Sequence, residues 1–286
     1  MPISLDVSMK ERYLAIVLLD LIGSTKFVQK VGAVKAARWF QFHDRLARSL
    51  TYKYSGREID RSDGFLLSFE KVGDAVSFAL KYQETIPQKT KIQCRIGIHW
   101  GRIIEVQQDD VYVGAGAKRV ELEGLAKNIA ARTMSLCEAG QVLMTKEAHL
   151  ELKNRLNPQV PKTARIACVG MYRFKGVREP QEIYAIGQDI KALQPPKGSE
   201  KVKRLGGPKY IKSRARDRKL MEWVWWFMWR LALIEGAVLI YVLTPIIMDP
   251  HKRWLLGMSP YIPIIDHYIA PMYREIVKLF TTLLGG

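Results

Sequence analysis

The chain has 286 residues, 48% of them hydrophobic, and a formal net charge of +17 at pH 7. This length allows one large domain, or one domain with an appendage, and is sufficient to bury a full core. Three widely spaced cysteines suggest neither a disulfide framework nor a zinc site, and the N-terminus lacks the charged, apolar and cleavable series of a secretory signal.

Along the first two thirds of the chain, strand-like and helix-like segments alternate. Apolar runs predict strands at residues 13–19, 65–69, 93–99 and 102–106, and apolar residues at helical spacing predict helices at 33–50 and 73–85. This alternation predicts a mixed α/β domain over residues 1–190. Two clusters of proline and glycine, at 194–199 and 205–208, mark the predicted exit from it.

Two aspartates stand beside apolar strand-like runs, each with a glycine nearby. Asp20 ends the run that begins at Tyr13, and Asp63 precedes Gly64 and the run 65–69. One isolated aspartate is most simply a turn or cap residue. Paired hard oxygen ligands on neighbouring strands are what a divalent metal holding a triphosphate requires. The pair therefore predicts a metal site.

A polar pair follows on a predicted helix. Asn128 and Arg132 are four residues apart, so on a helix they share one face. Alone, each is most simply a solvent-facing helical residue.

In this order, these segments resemble the catalytic domain of class III nucleotide cyclases. The resemblance covers residues 13–186 and includes Arg-Ile-Gly-Ile-His-Trp-Gly at 95–101, Ala-Gly-Gln-Val-Leu-Met-Thr at 139–145 and Tyr-Arg-Phe-Lys-Gly-Val at 172–177. It implies an α+β domain whose central, mostly antiparallel sheet is flanked by helices. It also implies a nucleoside triphosphate substrate.

The resemblance assigns roles to particular residues. Two divalent metal ions, Mg²⁺ or Mn²⁺, are implied, with the metal-site residues Asp20, Leu21 and Asp63. The turn Leu21, Ile22, Gly23, Ser24, Thr25 is expected to present backbone amides to the phosphates. Catalytic roles fall on Arg132 at the α-phosphate, Asn128 at the ribose and Lys175 at the terminal phosphates. In the family, the metal acids and the Asn, Arg and Lys come from different domains, so a homodimer with two composite sites is implied.

The base-reading positions depart from the familiar pattern. Purine-specific members place a lysine four residues before the second metal aspartate, where this chain has Ile59, and the partner position falls on Glu121. The variant around Ile59 resembles the bacterial pyrimidine cyclases of antiviral defence, which make cyclic UMP or cyclic CMP. Arg61 or Arg57 could donate to a pyrimidine carbonyl, or both could simply lie on a solvated strand. UTP is the first expected substrate and CTP the second; the alternatives are an adenylate cyclase with atypical base contacts and an inactive cyclase-like membrane sensor.

The C-terminal third changes composition. A basic linker is predicted over 191–219, because residues 197–219 carry ten Lys and Arg against two acidic residues. A membrane-spanning helix is predicted to follow at 220–248, and then an apolar, membrane-associated tail at 249–286. An interfacial amphipathic helix and a buried oligomerisation helix remain open. The apolar sequence after the basic run favours anionic lipid over a specific nucleic acid. The expectation is a protein of the cell inner membrane whose catalytic domain is cytoplasmic.

Overall fold

The structure, a computed structural model, describes residues 8–62, 64–89, 92–154 and 159–248, together with the single residues 267, 271, 274, 275 and 278. The chain divides into two compact units, Met1–Ser213 and Arg214–Gly286. The tail predicted over 249–286 lies almost wholly outside the described residues.

Within the described ranges, nine strands form one sheet. They are β1 Met9–Leu21, β2 Gly56–Arg61, β3 Gly64–Phe69, β4 Cys94–Gln107, β5 Val120–Glu123, β6 Val142–Thr145, β7 Arg165–Phe174, β8 Gln181–Gly187 and β9 Val202–Gly206. Their order is β2-β3-β1-β4-β6-β8-β7-β9, and β5 pairs with β4. The β4–β6 pair is parallel and the other pairs are antiparallel. The predicted mostly antiparallel sheet is confirmed.

Helices alternate with these strands along the chain. They are α1 Ser24–Val31, α2 Ala33–Lys53, α3 Val72–Lys89, α4 Asp110–Gly114, α5 Leu125–Leu136, α6 Lys146–Asn154 and α7 Pro208–Met248, and a short 3-10 helix spans Ile190–Leu193. Alternate side chains of a strand point to opposite faces. The odd-numbered core residues of β1 therefore pack with α2 and α3, whereas Leu14 and Ile16 pack with Ala126 and Ala130 of α5.

One strand replaces two predicted ones. The separate strands predicted at 93–99 and 102–106 form the continuous β4, which pairs with β1 from Leu21↔Cys94 to Met9↔Val106. Gly101, which lies between the two predicted strands, is part of this strand. Pairing along thirteen residues of β1 overrides the local weakness of a glycine in a strand.

A glycine sets how closely α5 approaches β4. A Cβ atom at Gly97 would lie 2.2 Å from the backbone nitrogen of Met134 on α5. Any side chain at this position would force the helix away from the sheet. The glycine of the 95–101 motif thus fixes the position of the helix that carries Asn128 and Arg132.

The sheet continues into the segment predicted as a linker, because β9 pairs with β7 at its edge. After it, α7 contains the region 220–248 that was predicted to span a membrane. In the described part of the chain, no helix combines the length and the hydropathy needed to cross a membrane. The spanning helix is therefore not supported; its segment carries Glu222, Arg230 and Glu235.

Candidate active site

Asp20 lies near the end of β1, in the middle of three paired strands. Its register partners are Gly64 on β3 and Arg95 on β4. A Cβ atom at Gly64 would lie 2.2 Å from the carbonyl oxygen of Leu19, so only glycine allows the two strands to pair this closely here. The predicted approach of the two acidic segments is confirmed for Asp20 and Gly64. Asp63 itself lies outside the described residues.

A cavity of about 900 Å³ opens beside Asp20. Its lining includes Asp20, Leu21, Ser24, Thr25, Arg61 and Gly64, together with Lys127 and Met134 of α5. The cavity therefore combines the predicted metal acid, the predicted phosphate turn and one candidate base-contacting arginine.

The predicted phosphate turn leads directly into α1. Gly23 has φ 76°, in the left-handed region that glycine adopts without strain, and the helix begins at the next residue, Ser24. First-turn amides of a helix have no partner within the helix and attract anions. No acidic residue occurs in the first turn of α1. This end of the cavity is thus suited to bind phosphate oxygens.

Arg95 is the residue that the sequence analysis did not assign to the site. Its Nε and Nη2 atoms donate to Asp20 Oδ2 at 3.0 and 2.6 Å. The two side chains are 30% and 22% exposed, respectively, so solvent screens the pair only in part. No local signal in the sequence marks this residue, because its contact depends on which residue of β4 pairs with Asp20.

The oxygen donors around Asp20 are of the type that Mg²⁺ and Mn²⁺ prefer. Leu21 has a hydrocarbon side chain with no donor atom, so only its backbone carbonyl could serve as a ligand. Among the described residues, no group of three or more His, Cys, Asp or Glu side chains could hold a metal. A carboxylate and a carbonyl in a cavity suit a metal that also binds the phosphates of its substrate.

The second set of predicted residues lies on α5 and the turn after β7. The prediction that Asn128 and Arg132 share a helix is confirmed, with Asn128 exposed and Arg132 partly buried. Arg132 Nε donates to the carbonyl oxygen of Lys175 at 3.4 Å. The structure therefore joins Arg132 to Lys175, whereas none of these three side chains lines the cavity beside Asp20.

The four candidate base-contacting residues, Arg57, Ile59, Arg61 and Glu121, separate into two groups by their position relative to the cavity. Ile59 is 9% exposed and packs in the core with residues of β1 and β4. Arg57 is paired with the buried Glu105, and Glu121 lies opposite Val106 at the β4–β5 pairing. Only Arg61 of these four lines the cavity.

Arg61 is held at the cavity by two acceptors. Its Nη2 donates to Asp44 Oδ1 at 3.0 Å, and its Nη1 contacts the carbonyl oxygen of Ser62. These bonds leave other donor hydrogens of the guanidinium available, since it has five. Burial by itself would raise the pKa of Asp44, but the hydrogen bonds and charges of Arg61 and His43 hold it below its usual range.

The comparison with protein families supports the resemblance. The sequence model of the family described as "Adenylate and Guanylate cyclase catalytic domain" matches residues 9–188. Among curated proteins, the receptor-type adenylate cyclase ESAG 4 of Trypanosoma brucei brucei is 34% identical over 95 residues, which cover 33% of this chain and 7% of that protein. GRESAG 4.3, from the same organism, is 26% identical over 198 residues, covering 53% of this chain and 15% of that protein.

Solved structures share the fold. The adenylyl cyclase CyaB of P. aeruginosa superposes with a TM-score of 0.55 at 18% identity, over 65% of this chain and 99% of that one. A Trypanosoma brucei adenylate cyclase, solved in its monomeric state, superposes with a TM-score of 0.52 at 19% identity, over 68% and 94%. The curated relatives are thus much longer than the region they share with this chain, whereas the solved domains are covered almost completely.

Proposed function

Because the chain belongs to the adenylate and guanylate cyclase catalytic domain family, we propose that it converts a pyrimidine nucleoside triphosphate, UTP first and CTP second, to the 3′,5′-cyclic monophosphate. The ribose 3′-oxygen attacks the α-phosphorus, and the bond between that phosphorus and the α–β bridging oxygen breaks. Pyrophosphate leaves, and the 3′-hydroxyl proton passes to water. Atoms and charge balance without any redox partner.

In this mechanism, Asp20, Leu21 and Asp63 would hold divalent metal. Class III cyclases use Mg²⁺ or Mn²⁺, which lowers the pKa of the attacking hydroxyl and neutralises charge on the triphosphate. The amides at the start of α1 bind phosphate oxygens. Arg95, which donates two hydrogen bonds to Asp20, would compete with a metal ion for this carboxylate.

The remaining roles belong to the second set of residues. Asn128 orients the ribose, Arg132 stabilises charge that develops at the α-phosphate, and Lys175 neutralises the terminal phosphates. The cavity beside Asp20 does not include these three side chains. We therefore propose a homodimer in which each site takes its metal-binding residues from one subunit and Asn128, Arg132 and Lys175 from the other.

The observation that carries the pyrimidine proposal is the burial of Ile59. A hydrocarbon side chain packed in the core donates nothing to a base edge, and a polar base edge left unpaired costs about 1–3 kcal/mol. Arg61 lies at the cavity with spare donors, and a guanidinium suits the two carbonyl oxygens of uracil better than the amine edge of adenine.

ATP is the alternative substrate. It is favoured by the curated relatives, which are receptor-type adenylate cyclases, and opposed by Ile59. A catalytically inactive sensor is a second alternative. Retention of Asp20, Asp63, Arg132 and Lys175 opposes it, since a module that only binds nucleotide has no need of both acids and the arginine.

We further propose that the product is a second messenger in antiviral defence and that the C-terminal segment attaches the protein to the cytoplasmic face of the inner membrane. The attachment is argued from the net charge of +8 over 197–219 and from four exposed tryptophans that follow it, Trp223, Trp225, Trp226 and Trp229. Binding of the full chain to anionic vesicles, and not to neutral ones, would support this attachment. Equal binding to both, or none, would contradict it.

The substrate experiment uses purified full-length protein, each of ATP, GTP, CTP and UTP separately, and Mg²⁺ or Mn²⁺, with the products identified by mass spectrometry. Cyclic UMP or cyclic CMP is the expected product. Arg61→Ala should then lower the kcat/KM for the pyrimidine nucleotide, while Arg57→Ala, a matched change on the same strand, should not. Cyclic AMP as the main product would overturn the pyrimidine proposal, and no product from any nucleotide would favour the sensor.

A further inference from the structure

The strand β9 lies beyond residues 9–188, the part of the chain that matches the family. It pairs antiparallel with β7, with Phe174↔Val202 and Arg173↔Lys203 among the partners. This pairing makes β9 the edge of the sheet next to the turn that contains Lys175. The segment after the family domain is thus built into the sheet.

Of the five residues of β9, only the first is buried. Val202 is fully buried and belongs to the same core cluster as Tyr172 and Phe174 of β7 and Ile129 and Leu136 of α5. Its side chain therefore contacts the core beneath the helix that carries Arg132. Removing volume at Val202 loosens the strand where it covers this cluster.

Two side-chain hydrogen bonds fasten the connection that leads to β9. The Tyr172 hydroxyl donates to the carbonyl oxygen of Pro196 at 3.0 Å, and Gln141 Nε2 donates to that of Gln194 at 2.8 Å. Both donors belong to buried residues. Buried donors of this kind hold the segment, because undocking it would leave them unpaired.

At its start, β9 reaches the Lys175 turn itself. The Lys175 amide donates to the carbonyl oxygen of Lys201 at 2.9 Å, and the Lys175 carbonyl accepts from Arg132 at 3.4 Å. The backbone of Lys175 is therefore held from one side by the segment entering β9 and from the other by the arginine. The Lys175 side chain is exposed, so the turn determines where its ammonium group can reach.

We propose that β9 is a positioning element for the reaction: it holds the Lys175 turn so that Lys175 and Arg132 meet the triphosphate together. This inference rests on the proposed function of those two residues. Since α7 begins at Pro208, two residues after β9 ends, the strand also connects the C-terminal segment to the catalytic turn.

The test uses full-length variants. Val202→Ala opens space under β9, and Val202→Asp places a charge there to undock the strand. Val169→Ala is the matched control, because Val169 is fully buried in the same cluster but lies on β7, away from the Lys175 turn. Steady-state kinetics with the preferred nucleotide, and hydrogen exchange at the Lys175 amide, are measured for each.

We expect Val202→Ala to lower kcat/KM about three- to tenfold, chiefly through a higher KM, and to speed exchange of the Lys175 amide, with larger effects for Val202→Asp. Val169→Ala should keep kcat/KM within about twofold of wild type. In a Lys175→Ala background, Val202→Ala should have a smaller effect on kcat/KM, because only the positioning of Arg132 through the backbone carbonyl of residue 175 is left to lose.

Equal losses from Val202→Ala and Val169→Ala, or the same fold loss with and without Lys175, would overturn the proposal. So would unchanged exchange at the Lys175 amide in both Val202 variants. The exchange measurement needs no substrate. A wild-type protein that makes no cyclic product would therefore refute the proposed function while leaving the structural link between β9 and the turn to be judged separately.

Discussion

The ion pair between Arg95 and Asp20 should make metal binding at this site weaker than the aspartate alone would allow. Asp20 Oδ2 accepts two hydrogen bonds from the guanidinium, at 3.0 and 2.6 Å. A metal ion that binds this carboxylate must compete with them. Arg95→Ala removes the competitor, and in the absence of nucleotide we expect it to raise the affinity for Mn²⁺.

The expected magnitude follows from the geometry and exposure of the pair. A hydrogen bond to a charged group contributes about 1.5–3 kcal/mol when well shielded. The side chains are 30% and 22% exposed, so solvent reduces this value, and about 1–2 kcal/mol is a reasonable range. Since about 1.4 kcal/mol corresponds to a factor of ten, Mn²⁺ should bind about five- to thirtyfold more tightly to the variant.

The assay is a titration with Mn²⁺, followed by electron paramagnetic resonance, on protein without nucleotide. Arg12→Ala is the control: Arg12 is 29% exposed and pairs with Glu70 instead of Asp20, so the change in net charge and exposure is matched. Unchanged or weaker Mn²⁺ binding in Arg95→Ala, or an equal gain in Arg12→Ala, would refute the reasoning.

Three further predictions concern the composite site, the fold around it and pH. Asp20→Ala and Arg132→Ala should each be inactive. Mixing the two variants should recover about a quarter of wild-type activity, through heterodimers with one intact site. No recovery despite demonstrated subunit exchange would exclude a two-subunit site. Gly64→Ala should abolish activity and lower the free energy of unfolding by about 1–3 kcal/mol, because its Cβ would meet a backbone oxygen at 2.2 Å. Gly114→Ala, where the Cβ would have no atom within 4 Å, should do neither. Chemical denaturation and activity assays check both variants. Burial lowers the pKa of His99 to about 4, so this residue favours unfolding as the pH falls below its ordinary pKa of 6.5. Between pH 7 and pH 5, the free energy of unfolding should therefore drop by about 2 kcal/mol more in wild type than in His99→Gln. Parallel urea titrations that show the same drop in both proteins would contradict this assignment.

Some parts of the site were readable from local sequence. The spacing of Asn128 and Arg132 predicted one helix because helical geometry places residues four apart on one face, and α5 confirms it. The sequence predicted Asp20 at the end of a strand, because the apolar run from Tyr13 ends at this residue. Arg95 was not assigned, because its contact with Asp20 depends on which residue of β4 pairs with β1 and not on the residues around either one.

The order of motifs along the chain indicated the family. Hydrophobic periodicity, which is a local property, indicated the alternation of strands and helices. Only the tertiary structure decided that Ile59 packs in the core, that Arg61 is the one of the four considered base-contacting residues that lines the cavity, and that 202–206 forms a strand. Each of these depends on pairing or packing between segments far apart in sequence. In β9, five residues within a predicted linker become part of the sheet because β7 supplies the partner strand and the core cluster accepts Val202.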